Sequence, residues 1–355
     1  MPIYQAEELR VFTREVLERI GLKNECAYNA SDALIRANLE GVDSHGISRL
    51  SIYAKRIMEG RINADPEIKI EKKGSSVLVV DGDNGLGQAV SAKAMSEGLS
   101  LVKESGAVAV SVKNSNHFGT ASYFCQMAAE RGVVALAFTN SPSGIPPWGG
   151  TKAFFGTNPI AFGFPTGTKE PVIIDMSTSV VARGKIILAA KQGQSIPKGW
   201  AIDEEGNETE DAKEALKGAV LPVGGAKGYA LALAVEVLTG LLSGAAFGPH
   251  VQNIYDNGAD QANVGHFFIL LDVEKFMPEG VFYSLMEQLL SEIKETPKAE
   301  GVEEILYPGE RRARALSKNL EQGIELSEQV EEELRILGSN LNVDLPKRSI
   351  CRNSL

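Results

Sequence analysis

Four histidines occur in the 355 residues, and two of them sit among groups suited to handling a carbonyl acid. Asp43-Ser44-His45-Gly46-Ile47-Ser48-Arg49, continuing to Tyr53, spaces His45, Arg49 and Tyr53 at i, i+4 and i+8. A helix carries such a triplet on one face. There an imidazole can move a proton to or from a carbonyl or hydroxyl oxygen. A guanidinium can grip a carboxylate bidentately, and the phenol adds a hydrogen bond. Ser44 caps the helix or orients the ring. The set suits a 2-hydroxy or 2-oxo acid; a capped surface helix bearing the same residues is the plain alternative.

The second histidine lies in Lys113-Asn114-Ser115-Asn116-His117-Phe118-Gly119-Thr120, between a strand end and a helix start. Loops after strands are where α/β sites gather, and Phe118, Gly119 and Thr120 would offer backbone N–H groups to an anion. His250 and His266 have no polar partners near them in sequence and read as loop and strand-edge residues. Asp175-Met176-Ser177-Thr178-Ser179, followed by Arg183-Gly184-Lys185, supplies hydroxyls, N–H groups and two cations where a strand enters a helix. Gly224-Gly225-Ala226-Lys227-Gly228 opens an apolar helix and can receive an anion, though it lacks P-loop spacing. Tyr307-Pro308-Gly309-Glu310-Arg311-Arg312 reads as a turn with a solvated basic run.

Two decoys fall away. Gly82-Asp83-Asn84-Gly85-Leu86-Gly87 has the setting of a dinucleotide fingerprint, but Val90 stands where the third glycine belongs. The following strand ends in Lys113-Asn114, with no acidic residue for a ribose. The same stretch fails as a calcium loop because Ala92 occupies its twelfth position. No zinc spacing, Ser-His-Asp constellation or nucleophile elbow is present.

The elements that must position these groups follow from periodicity. Helices are expected at 5–20, 24–41 and 47–59, then at 87–105, 119–131, 178–192, 227–246, 279–295 and 325–337. Strands are expected at 76–81, 108–113, 133–139, 158–164, 171–176 and 266–272. Thr166-Gly167-Thr168 is too short for a parallel crossover, so the two strands it joins should be antiparallel. Gly248–Gly265 reads as a surface loop. The two helical chain ends are expected to share one domain, 1–70 with 275–355, around a sheet domain at 71–274.

Composition bounds the rest. A net charge of −10 has the wrong sign for a general nucleic-acid or anionic-membrane surface. With 43% hydrophobic and 23% charged residues the chain is globular rather than disordered. The apolar run Tyr229–Phe247 contains Glu236, Gly240 and Gly244, and reads as a buried core helix rather than a membrane span. The polar N-terminus is helical, not a signal peptide. Three scattered cysteines, Cys26, Cys125 and Cys351, suit a reducing cytoplasm better than a disulfide framework.

Taken together, DSHGISRL (43–50), NSNHFGTASYF (114–124), GTNPIAFGFP (156–165), IDMSTSVVARGKI (174–186), LPVGGAKGYALALAVEVL (221–238) and YPGERR (307–312) resemble the type-2 malate/L-lactate dehydrogenase family. That family also holds sulfolactate, ureidoglycolate and diketogulonate dehydrogenases and cyclic-imine reductases. The resemblance implies a homodimer acting on a small 2-hydroxy or 2-oxo acid. It implies NAD or NADP bound without a Rossmann fold, on an α/β architecture with a mixed, largely antiparallel sheet. By motif it implies His45, oriented by Ser44, or His117 as acid/base, and Arg49 on the substrate carboxylate with Tyr53 and Thr157 nearby. Cofactor contacts are implied for Phe118, Gly119, Thr120, Ala121, Asp175, Met176, Ser177, Arg183, Gly184, Lys227, Gly228, Gly309 and Glu310. Arg311, Arg312 and Arg314 are candidates for a ribose phosphate, and NAD and NADP stay open between them. Imine-reducing relatives carry Asp after the Arg-Gly pair. Lys185 stands here instead, which would disfavour a cationic imine and favour a second negative group, as in malate or sulfolactate.

Overall fold

The computed structural model describes residues 1–167, 170–255 and 261–349. Thr168 of the expected turn, part of the Gly248–Gly265 loop and Cys351 lie outside the described residues. The chain opens with β1 (Ile3–Tyr4), α1 (Ala6–Arg19) and α2 (Asn24–Leu39). Two 3-10 turns, Asp43–His45 and Ile47–Arg49, lead into α3 (Leu50–Met58). The centre holds β2 (Lys69–Lys72), β3 (Val77–Asp81), α4 (Gly87–Ser105), β4 (Ala107–Ser115), α5 (Ala121–Ala129) and β5 (Val133–Thr139). After a long loop come β6 (Ile160–Phe164) and β7 (Val172–Met176). A smaller unit follows: α6 (Arg183–Gln192), β8 (Ala201–Ile202), β9 (Glu208–Thr209), α7 (Ala212–Lys217) and β10 (Ala219–Val220). Then come α8 (Ala226–Glu236), β11 (Val264–Asp272), α9 (Glu279–Glu295), α10 (Glu310–Gln322), β12 (Ile324–Glu325) and α11 (Glu328–Leu341).

Seven strands form one mixed sheet in the order β2-β3-β4-β11-β5-β6-β7. Only β3 and β4 run parallel, joined by the 19-residue α4, which is long enough for a crossover. The remaining neighbours are antiparallel, including β6 with β7 as their short connection required. β11 arrives from far along the chain to sit between β4 and β5. Val108, Val110, Val112, Phe268 and Leu270 are buried there with Phe118 and Phe124. Burying each such side chain contributes about 1.5–3 kcal/mol, so the ends of β4 and β11 are anchored in this core.

The chain ends share a second core. Leu9, Phe12, Val16 and Leu34 pack with Leu316, Ile324, Leu334 and Leu337, and β1 pairs with β12. A third cluster, Val181, Ile186, Ile196, Ala212 and Val220, supports the small α6–β10 unit.

Three expectations are corrected. The helix expected to carry His45, Arg49 and Tyr53 is two 3-10 turns and then α3, because Gly46 turns the backbone to φ −90°, ψ −151°. The run Tyr229–Phe247 is not a buried core helix. It is α8 and a π-turn at Val237–Leu241, and Leu231, Leu233, Val237, Leu241 and Leu242 are exposed. YPGERR is not merely a solvated turn, since Glu310 begins the amphipathic α10. No helix among the described residues is long and apolar enough to cross a membrane.

Candidate active site

The His45 turn is built from below by Asn38, a buried residue near the end of α2. Its Oδ1 accepts the Ile47 N–H (2.7 Å) and its Nδ2 donates to Asp43 Oδ1 (2.7 Å). Any Cβ at Gly46 would collide with that amide, so only glycine lets the turn lie so close. Ser44 Oγ lies 3.0 Å from His45 Nδ1, the orienting contact expected of it. Arg49 Nε donates to the Ser44 carbonyl (2.6 Å), which leaves its two Nη groups to meet a carboxylate.

His117 sits just beyond β4. Asn116 Nδ2 donates to the carbonyls of Asn84 (3.1 Å) and Gly85 (2.9 Å), pinning this loop to the turn before α4. Gly87 in that turn faces the Asn116 and His117 carbonyls where no side chain fits. The glycine-rich turn is therefore a seat for the His117 loop. Phe118 is buried and stacks on His266 with ring centroids 4.5 Å apart.

That corrects the reading of His266 as a partnerless strand-edge residue. It is 0% exposed in a central strand, with Nδ1 2.8 Å from Thr139 Oγ1 and Nε2 2.9 Å from Ser115 Oγ. His250 closes a 3-10 turn and meets Phe247 edge-on.

Long-range packing brings the two sequence clusters together. His45 and His117 stack with centroids 5.6 Å apart. Arg49 and His117 line one cleft of about 130 Å³, with Asn140, Ser141, Pro142, Gln252, Asn253 and Tyr255 completing much of its wall. Tyr255 lies over the Arg49 guanidinium, 5.5 Å from its ring centroid. Tyr53 is not in that wall. It is 1% exposed and holds its hydroxyl 2.6 Å from His117 Nδ1.

Burial, and then the Arg49 charge, lower His45 to about 4. Burial also lowers His117 well below 6.5, assisted by His45 and Arg49. Both shifts favour the neutral ring at pH 7.

The other candidates gather around β7, the edge strand. Asp175 Oδ2 accepts from the Ser122 N–H (3.1 Å) at the start of α5 and from Arg312 Nη1 (3.2 Å) on α10. Gly309, at φ 92°, packs its Cα against the Ile173 backbone and caps α10. Glu310 is buried, paired with Lys294 and Arg314, while its Oε2 has no partner among the described residues. Thr120 and Ala121 are buried at the start of α5, Gly119 takes φ 82°, and Met176 is exposed.

Thr157 accepts from Thr178, whose own carbonyl takes the Val223 N–H. Gly228 packs on the Val223 backbone, so the start of α8, with exposed Lys227, is tied to this region. Ser177 Oγ lies 2.8 Å from Ser179 Oγ. Arg183, Gly184 and Lys185 are exposed on the first turn of α6, and Arg183 donates to the Leu216 carbonyl of α7. Lys185 is not part of the cleft wall. Of the basic run, Arg312 and Arg314 are engaged by carboxylates.

Asn38, Gln88, Ser122 and the segment Gln252–Tyr255 were given no role by sequence, and His266 was read only as a strand-edge residue. An isolated amide inside an apolar helix pattern was the signal available for Asn38 and Gln88, since a buried polar group must find a partner.

Comparison with known proteins bears on this arrangement. The model of the malate/L-lactate dehydrogenase family matches residues 4–335. A malate dehydrogenase of Pyrococcus horikoshii is 38% identical over 346 residues, covering 95% of each chain. An L-sulfolactate dehydrogenase of Methanocaldococcus jannaschii is 37% identical over 343 residues, covering 97% of this chain and 98% of that protein. The solved structure of the sulfolactate dehydrogenase from the same organism superposes with a TM-score of 0.91 at 36% identity, covering 97% of this chain and 98% of that one. With the mixed sheet, the paired histidines and matches running nearly end to end, the chain belongs to the malate/L-lactate dehydrogenase family.

Proposed function

We propose that the chain is an NAD(P)-dependent malate dehydrogenase interconverting (S)-malate and oxaloacetate. Membership of the family makes it an oxidoreductase acting on a CH–OH group. The observation that carries the reading is the convergence of Arg49 and the His45–His117 pair, with Arg49 and His117 in one cleft wall. Arg49, oriented through its Nε, pairs with the C1 carboxylate. A histidine of the pair exchanges a proton with the C2 oxygen, while the neighbouring ring and the guanidinium stabilise charge developing there. Gln252 and Asn253 supply amide donors for a distal oxyanion group, the C4 carboxylate of malate or, as the alternative, a sulfonate.

The groups around β7 fit a nicotinamide dinucleotide. The buried, unpartnered Glu310 Oε2 would accept from a ribose hydroxyl, and the α5 start and Lys227 would face phosphate. When bound, that cofactor supplies or takes up the hydride at C2. Asp175, Met176, Ser177 and Gly309 would complete its seat.

The exposed apolar face of α8 and the π-turn supports a homodimer, because a helix apolar all round is stable only when covered. Cysteine usage, with Cys26 and Cys125 unpaired, supports a cytoplasmic enzyme.

The test is NADH and NADPH oxidation followed by absorbance against oxaloacetate, sulfopyruvate, pyruvate and a cyclic imine. Highest kcat/KM on oxaloacetate is expected. A preference for sulfopyruvate would move the substrate assignment, and silence on every acid would remove the catalytic reading.

A further inference from the structure

Tyr53 and Gln88 stand behind His117 in a chain of hydrogen bonds that no ligand can reach. Gln88 is 0% exposed and Tyr53 is 1% exposed. Gln88 Nε2 donates to Tyr53 Oη at 3.2 Å, and the same oxygen lies 2.6 Å from His117 Nδ1. An amide nitrogen only donates, so the phenol oxygen accepts from Gln88, and the only acceptor among the described residues for its own buried proton is Nδ1. Nδ1 must then accept, which places the proton of the neutral ring on Nε2. Nε2 has no hydrogen bond among the described residues, and His117 lines the cleft beside Arg49.

We propose that Tyr53 and Gln88 are positioning residues that hold His117 in one neutral tautomer, with its proton on Nε2 facing the substrate oxygen. The proposal deepens the dehydrogenase reading and rests on it for the identity of that oxygen. Protonating Nδ1 would turn the buried phenol proton away from its one acceptor among the described residues, so the chain resists the imidazolium form, in the same direction as burial. In this tautomer His117 donates to the carbonyl oxygen of the oxo acid as a preorganised dipole. It cannot take a proton from the hydroxy acid. In oxidation the hydroxyl proton therefore needs another acceptor, and His45, whose ring stacks 5.6 Å from that of His117, stands beside it.

Selective ¹⁵N labelling of the four histidines reads the tautomer directly, with His117→Gln assigning the signals. The wild-type ring should show Nε2 protonated and Nδ1 bare throughout the neutral pH range. Tyr53→Phe should give a mixture of tautomers and lower kcat about tenfold, with KM within about threefold because Arg49 still holds the carboxylate. Gln88→Met should shift the spectrum the same way with a smaller loss. A wild-type proton on Nδ1, or an unchanged pattern in both variants, overturns the proposal. Should Tyr53→Phe fail to fold, the wild-type spectrum and Gln88→Met decide it. Absence of turnover on every acid would sink the functional reading while the spectrum still judged the tautomer.

Discussion

Around His117 the side chains are buried and bonded to one another, whereas on α6 and α8 they face outward with few partners of their own. On the first side, Asn38, Asn116, Gln88 and Tyr53 each fix a group of the site through a hydrogen bond from another element. On the second, Lys185, Lys227, Leu231, Leu233, Leu241 and Leu242 are all exposed. The contacts that position the histidine wall lie within one chain, so their geometry is set by folding. The α6–α8 wall carries apolar surface that water does not favour, and in the proposed homodimer a second copy would cover it.

The largest effect expected from breaking this contrast is on the ordered wall. His45→Ala and His117→Ala should each lower kcat on oxaloacetate by about 10²-fold or more in steady-state assays. Near-normal turnover in both would show that the reacting groups lie elsewhere.

The same burial predicts a pH effect on stability. His45 and His266 are lowered by burial to about 4 and about 3, and His117 also falls well below 6.5. Below pH ~6.5 the unfolded chain binds protons that the folded one refuses, so their contribution is complete above that pH and is lost as pH falls towards the folded values. Each fully shielded ring should cost about 1.4 kcal/mol per pH unit, tenfold in the folding equilibrium. Glu331, held near 2 by its hydrogen bond with Arg348, loses its contribution as pH falls from about 4.5, so it enters only at the lower edge of this window. Urea titrations between about pH 6.5 and 4.5 should show the slope, and His266→Gln should flatten it. An unaltered slope would mean that His266 is protonated in the fold.

The open wall should respond more weakly. Leu241 and Leu242, 56% and 62% exposed, become strongly repulsive across an interface as Leu241→Glu with Leu242→Glu. Sedimentation should then show a smaller species, and kcat/KM should fall roughly tenfold. An unchanged sedimentation coefficient with full activity would leave that face solvent-exposed in the working enzyme. The smallest effect is expected at Lys185. Lys185→Asp should lower kcat/KM for oxaloacetate by roughly 3- to 10-fold and leave pyruvate unchanged. Equal effects on both substrates would take Lys185 out of substrate selection.

Much of this division was legible before the fold. Helices at 87–105 and 279–295 and the strand at 133–139 follow from apolar period alone, as the structure has them. Other elements were missed for local reasons. β2 reads Lys-Ile-Glu-Lys, an edge strand too charged to stand out, and α10 is so polar that its apolar stripe was hidden. His45 and His117 stood out because the chain has only four histidines, and Arg49 because it lies four residues from His45. Tyr53 was found for the wrong contact, since helical spacing aligns it with Arg49 while packing turns it to His117.

Sequence by itself determined the period of each element, the glycine-bearing turns and the inventory of proton carriers and cations, because these depend on neighbours a few residues apart. Tertiary structure alone decided which ring faces the cleft, that His266 is a core residue, and that β11 separates β4 from β5. Those outcomes depend on partners 35 to 151 residues away, such as Gln88 for Tyr53 and Ser115 for His266. A buried donor or acceptor must be satisfied wherever the chain can bring its partner, and no local pattern encodes that meeting.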